Sequence, residues 1–323
     1  MIVSATRLAL ALGVVCAAAI PHTKAENNYP EKPIRLVIGF AAGGATDIPA
    51  RFIAEQLSQR LNKPVVVENK PGAGAMLATR DVLSHPADGY TLLFCSHYDA
   101  TNTVSYNKPG YSLDDLDPIS LTSRYYFGIS VTNHLPVKDW GEFVSYAKAN
   151  PGKVSYATLG AGSAQEVFAL QLEELLGIKM TGVPYRGGAH VTQDLLPGRV
   201  HMFISAMSQS LPMAADKKLK VVAISSAERS PAAPDIPTLK EKGLDFIRFG
   251  ILGVCARKGT PQPIIDRLNK ELRAIVDEPK YRKLIESAAA VPESSTPEEF
   301  GKLLHQTRAD VEPTIDKYNL RRD

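Results

Sequence analysis

The chain has 323 residues, of which 44% are hydrophobic, 22% charged and 7% aromatic, a mix that disfavours long disorder, collagen and coiled coil. Lys and Arg total 37 against 34 Asp and Glu, too even a balance for nucleic acid or an anionic membrane as main partner. At roughly 100–200 residues per domain the length predicts two domains, and three cysteines without C-x-x-C spacing exclude a disulfide-dense scaffold.

The first element is a leader. Arg7 precedes an apolar run from Leu8 to Ile20, and Thr23-Lys24-Ala25 supplies a cleavage point, the order of a secretory signal peptide over residues 1–25. The run's 13 residues fall short of the ~20 needed to span a bilayer, which counts against a membrane anchor. A soluble mature chain outside the cytoplasm is expected, cleaved near Ala25, with a formal charge of about +1 and two cysteines, Cys95 and Cys255. Both sit in apolar strand-like segments, where a buried free thiol is the expected state; an oxidising compartment also permits pairing.

Strand and helix signals then alternate. Ile34 to Ile38 reads as a buried strand, followed by Gly43-Gly44 and a helix with Ile48, Phe52, Ile53, Leu57 and Leu61 on one face. Val65 to Val67 is a second strand, and a helix carrying Leu77, Val82 and Leu83 leads to a third at Tyr90 to Phe94. This β-α-β-α-β order predicts a parallel sheet. A second series begins near Gly128 to Val131 and continues through strands at Val154–Ala157, Lys179–Pro184, Val200–Ile204 and Lys220–Ile224, with helices around Phe143 to Ala149, along Val167 to Leu175 and near Val191 to Leu196. A strand at Ile251–Ala256 precedes three helices centred near Leu268, Leu284 and Leu303. No fixed-period repeat is visible, so two α/β lobes are predicted rather than a solenoid.

Several segments together carry a resemblance. They include Tyr29 to Val37, Ala42-Gly43-Gly44-Ala45-Thr46-Asp47, Glu68 to Gly74, Asp88 to Leu93, Val183-Pro184-Tyr185-Arg186-Gly187-Gly188, Asp194 to Val200 and Ser295 to Phe300. In this order and spacing the chain resembles the substrate-binding proteins of tripartite tricarboxylate transporters, the Bug family. The resemblance implies an α/β, two-lobed periplasmic binding protein fold with a ligand cleft between the lobes and two crossover strands. It implies lobe one at residues 29–126 plus 250–323 and lobe two at residues 127–249, with closure about hinges near Ser123-Arg124 and Phe249-Gly250.

The loop Phe40 to Asp47 is the most informative local feature. Its glycines allow close backbone approach, Thr46 or Asp47 can cap orphan amides, and amides opening a helix favour an anion. Neither a P-loop nor G-x-G-x-x-G is present. A tight turn with an ordinary cap is the plainer reading; the resemblance makes Ala42, Gly43, Gly44, Ala45, Thr46 and Asp47 a carboxylate-contacting loop. Gly160, Ala161, Gly162 and Ser163 form the matching loop in lobe two, with Glu166 standing where the family frequently has His. Valine at Gly43 or Gly162 is expected to block a ligand while leaving the fold largely intact. Arg186, Gly187 and Gly188 open another helix, Ser205 ends a lobe-two strand, and Tyr98 and Tyr125 lie near strand ends where they line a pocket or pack a core.

The seven histidines offer no zinc-binding helix pair, and no metal, cofactor or catalytic residue is expected. Ser163 lacks the G-x-S-x-G elbow, which disfavours a secreted serine hydrolase. The leading expectation is a monomeric periplasmic receptor that captures a small aliphatic or aromatic carboxylate and presents it to membrane permease subunits. A ligand sensor feeding a signalling receptor needs the same chemistry and remains the alternative.

Overall fold

In the computed structural model the described residues are 28–185 and 187–323; the leader expected at residues 1–25 and Arg186 lie outside them. Strands β1 (Ile34–Ile38), β2 (Val65–Asn69) and β3 (Thr91–Ser96) lie in the order β2-β1-β3 and pair in parallel, the pairing that alternating strand and helix signals predict. The intervening helices are α1 (Asp47–Leu61) and α2 (Met76–Leu83). β3 runs directly into α3 (His97–Ser105), whose polar residues offer no apolar stripe to read. Its start is set by a capping box: Tyr98 N donates to Ser96 Oγ at 3.3 Å, and Ser96 N donates to Asp99 at 2.7 Å.

The 17-residue β4 (Leu116–Thr132) joins the two halves of the sheet. Its first part pairs antiparallel with β9 (Phe249–Arg257), which lies beside β3, and with the short β10 (Ala290–Pro292). Its second part pairs with β7 (Met202–Ala206) and β8 (Leu219–Ile224), and β5 (Ser155–Thr158) and β6 (Thr181–Pro184) extend the sheet beyond β7. The sequence pattern marks only the stretch from Gly128, because Pro118 and the hydroxyl residues 120, 122 and 123 interrupt the apolar run upstream. Register shifts fall at Pro118/Ser120 and Leu121/Ser123, where the strand accommodates them.

Helices α4 (Trp140–Ala149), α5 (Ala164–Leu176), α6 (Gly188–Leu195) and α7 (Met207–Ala215) cover the second half of the sheet; α8 (Gln262–Val276), α9 (Pro279–Ser287) and α10 (Pro297–Tyr318) complete the first. One core holds Leu36, Ile53, Leu57, Phe94 and Leu268, all fully buried or nearly so. Each such side chain contributes about 1.5–3 kcal/mol relative to exposure. A second core gathers Phe127, Ile129, Val131, Phe143 and Val167. Val311 and Ile315 of α10 and Val104 of α3 pack into that second core, while Phe300 and Leu304 of α10 pack with Leu93, Cys95 and Ile251, so the C-terminal helix touches both halves of the sheet.

The expectation of free thiols is overturned. Cys95 in β3 and Cys255 in β9 form a disulfide with Cα atoms 6.0 Å apart. The reason is tertiary: 160 residues separate them, and only the insertion of β9 beside β3 brings them together. Among the described residues no helix is long and apolar enough to cross a membrane, and no group of three or more ligating side chains could hold a metal.

Candidate functional site

A cavity of about 720 Å³ opens where the two halves of the sheet meet. Its apolar walls include Phe40, Tyr98, Tyr125, Phe127, Phe203 and Ile48. Ile48 is the residue of the predicted α1 stripe that leaves the core, being 48% exposed and turned toward the cavity. The aromatic rings brace one another: Phe40 and Tyr98 lie 5.4 Å apart between centroids, and Tyr125 and Phe127 lie 5.6 Å apart.

No charged side chain is among the described residues lining this cavity. Five helices present their first turns instead: Thr46, Ile48 and Pro49 at α1, Ser96 and Tyr98 at α3, Gln165 at α5, Gly188 at α6, and Ala206, Ser208 and Gln209 at α7. Helix N-termini carry unpaired amides and partial positive charge, so the arrangement suits an anion without a salt bridge.

Within the first loop, Gly44, Ala45 and Thr46 line the cavity, whereas Ala42 and Gly43 are exposed outside the lining and Asp47 is buried beneath it. Asp47 accepts from Gly43 N at 2.8 Å, Arg51 Nε at 2.7 Å and Asn69 Nδ2 at 2.8 Å. Burial alone raises its pKa, but the bonds from Arg51, Asn69 and Gly43 prevail and hold the carboxyl down to about 2. Asp47 therefore orders the loop. The Gly44, Ala45 and Thr46 amides have no acceptor among the described residues.

The matching loop in the second half is arranged differently. Gly160, Ala161, Gly162 and Ser163 do not line the cavity; their neighbours Leu159 and Gln165 do. Most of the loop's amides are taken internally: Leu159 N donates to Ser163 Oγ, Gly160 N to Thr158 Oγ1, Gly162 N to Glu166 at 2.7 Å, and Ser163 N to Gly160 O. Ser163 Oγ also accepts from Glu166 N, so this serine serves as the cap of α5. The loop packs against the end of α3, where Ser105 Oγ donates to Gly162 O at 2.8 Å.

Tyr98, Tyr125 and Gly188 line the cavity, Gly187 precedes α6 as its N-cap, and Arg186 is not among the described residues. Ser205 lines a smaller adjoining chamber. Tyr125 Oη lies 3.1 Å from Nδ1 of the buried His97, whose pKa burial lowers to about 3. Burial likewise raises the pKa of Tyr98 and of Tyr125, so these walls remain neutral at ordinary pH. Sequence reading missed Gln165, Phe203 and the start of α7. The small polar run Ser205 to Ser210 after a strand was the available signal for α7, but nothing local marks Leu284, Ile285, Ser287, Ala288 and Ala290 as cavity residues; the β10 pairing with β4 brings this segment there.

Residues 49–320 match the family described as tripartite tricarboxylate transporter family receptor. The fold is similar to the periplasmic binding protein BugD, with 32% identity and a TM-score of 0.79 over 91% of this chain and 100% of that one. It is similar to a Rhodopseudomonas palustris protein solved with adipate, at 28% identity and TM-score 0.82 over 91% and 99% of the two chains. It is also similar to MatC of that organism with bound malate, at 29% identity and TM-score 0.78 over 89% and 100%. The chain belongs to the tripartite tricarboxylate transporter receptor family, a family of periplasmic solute-binding proteins rather than enzymes.

Proposed function

We infer that this protein captures a small carboxylate with an apolar body, aliphatic or aromatic, and presents it to membrane permease subunits. The observation that carries this reading is a cavity ringed by five helix N-termini, with no charged side chain among the described residues that line it. In this reading the Gly44, Ala45 and Thr46 amides grip the carboxylate from lobe one, residues 29–126 plus 250–323. Gln165, Gly188 and Ser208 close on it from lobe two, residues 127–249. Both half-sites engage together only when the lobes close, so ligand favours closure through its differential affinity for that state. The bound adipate and malate of similar proteins support carboxylate chemistry.

A thermal-shift screen across mono-, di-, tri- and aromatic carboxylates tests the ligand class. Stabilisation should grow with ligand concentration relative to its dissociation constant. Stabilisation by sugars or cations and by no carboxylate would overturn the assignment.

A further inference from the structure

A second chamber, about 210 Å³, adjoins the main cavity and shares Gly188, Phe203 and Gln209 with it. It lies between the sheet and helices α6 and α7, on the face of β4 opposite the packed side chains Phe127, Ile129 and Val131. That face carries Gly128, Ser130 and Thr132. At Gly128 an added Cβ would stand 2.6 Å from Met207 Sδ, so α7 sits directly on the strand there. At Ser130 the space opens into the chamber.

Ser130 is 1% exposed, and its hydroxyl has no hydrogen-bond partner among the described residues. Its neighbour on the same face, Thr132, has a use, since Thr132 Oγ1 accepts from His134 N at 3.3 Å. A buried hydroxyl left unpaired is unfavourable compared with alanine in the same place, unless a bound group completes it. Ser205, 2% exposed, adds a second hydroxyl to the wall without a protein partner among the described residues. The Gly188 and Ala189 amides, at the start of α6, likewise have no acceptor among the described residues. Thr192 is not available as a donor, because its hydroxyl donates to Gly188 O at 3.0 Å. Leu195, Phe203 and Met213 supply apolar surface around these groups.

We propose that this chamber is a tail subsite, in which Ser130 and Ser205 hydrogen-bond a terminal oxygen at the far end of an elongated carboxylate. The inference rests on the carboxylate reading of the main cavity and adds what the tail must carry. The gripped carboxylate stays at Gly44 to Thr46, methylenes run along Phe203, and the tail oxygen meets the Ser130 hydroxyl. An acid of the same length without a tail oxygen leaves that hydroxyl unpaired.

Calorimetry with hexanoate, 6-hydroxyhexanoate and adipate tests this, because the three share a six-carbon chain and differ at one end. The wild-type protein should bind at least one oxygen-tailed acid about tenfold tighter than hexanoate, the ratio for one hydrogen bond. The hydroxy acid and adipate arms separate a neutral tail from a charged one. In Ser130→Ala the ratio should collapse toward one, and in Ser205→Ala it should shrink. Absence of a preference in the wild type, or an undiminished ratio in both variants, overturns the subsite. Binding of short carboxylates but of none of the six-carbon acids overturns the subsite alone. Failure of every carboxylate overturns the reading of the main cavity as well.

Discussion

The Gly162 amide donates to the Glu166 carboxylate four residues on, at 2.7 Å. Gly43 makes the same bond to Asp47 at 2.8 Å, and both glycines have positive φ, +67° and +79°. Each loop thus carries its own carboxylate as a strut. The struts differ in setting: Asp47 is held by Arg51 and Asn69, while Glu166 has only the amide and the more distant field of Arg322 to offset burial.

Glu166 should make stability fall as pH rises through the acid range. Burial raises its pKa in the folded protein, so the folded state holds the proton at pH values where the unfolded chain has released it. Glu166→Gln keeps an acceptor for Gly162 and removes the charge. As pH rises above the ordinary glutamate range, urea unfolding should show the wild type losing stability relative to Glu166→Gln. Glu166→Ala, which orphans the amide, should cost about 1–2 kcal/mol throughout. Parallel pH profiles for wild type and Glu166→Gln would count against a strained carboxylate.

Asp47 has the opposite sign. Its folded pKa of about 2 lies below its unfolded value, so its contribution is full above about pH 4 and is lost as pH falls toward 2. Asp47→Asn should cost roughly 2 kcal/mol at pH 7, with the difference from wild type closing in that acid window. Denaturant midpoints measured at pH 7, 4 and 3 would check the convergence.

Valine at Gly43 and at Gly162 should have separable effects. An added Cβ at Gly43 meets nothing within 4 Å, so the burden there is backbone strain of about 1–2 kcal/mol, together with bulk beside the ligand loop. At Gly162 the Cβ would stand 3.0 Å from Leu320 O and 3.1 Å from Ser105 Cβ. Gly162→Val should therefore loosen the C-terminal tail and destabilise the fold by roughly 2–4 kcal/mol, contrary to the expectation of an intact fold. Gly43→Val should weaken carboxylate binding at least about tenfold while melting close to wild type. Paired melting curves and titrations separate the two outcomes.

The Cys95–Cys255 disulfide spans 160 residues of sequence, a long loop to constrain in the unfolded chain. Replacing both by alanine should cost roughly 2–5 kcal/mol. Both residues are fully buried, so added reductant should leave the native protein unchanged until it opens. A melting temperature unaffected by the double substitution would show that the strand packing alone holds β3 to β9.

Periodicity in the sequence determined the elements β1, α1, β2, α2 and β3 and hence their parallel pairing, most of the apolar face of α1 and the helices after β9, because these depend on contacts local to each element. The glycines of residues 43–44 and the cap-forming residues beside them likewise mark a strand-to-helix loop through local chemistry alone. Tertiary structure alone decided that β4 runs through both halves of the sheet, since Pro118 and the hydroxyls around it hide the strand's first part. It also decided the pairing of Cys95 with Cys255, which follows from where β9 inserts rather than from either segment. The two glycine loops look equivalent in sequence, yet of the two only Gly44 to Thr46 bring unpaired amides to the lining of the main cavity. Whether an amide is free depends on where a carboxylate, a tail and a neighbouring helix come to rest, and those positions are properties of the folded chain.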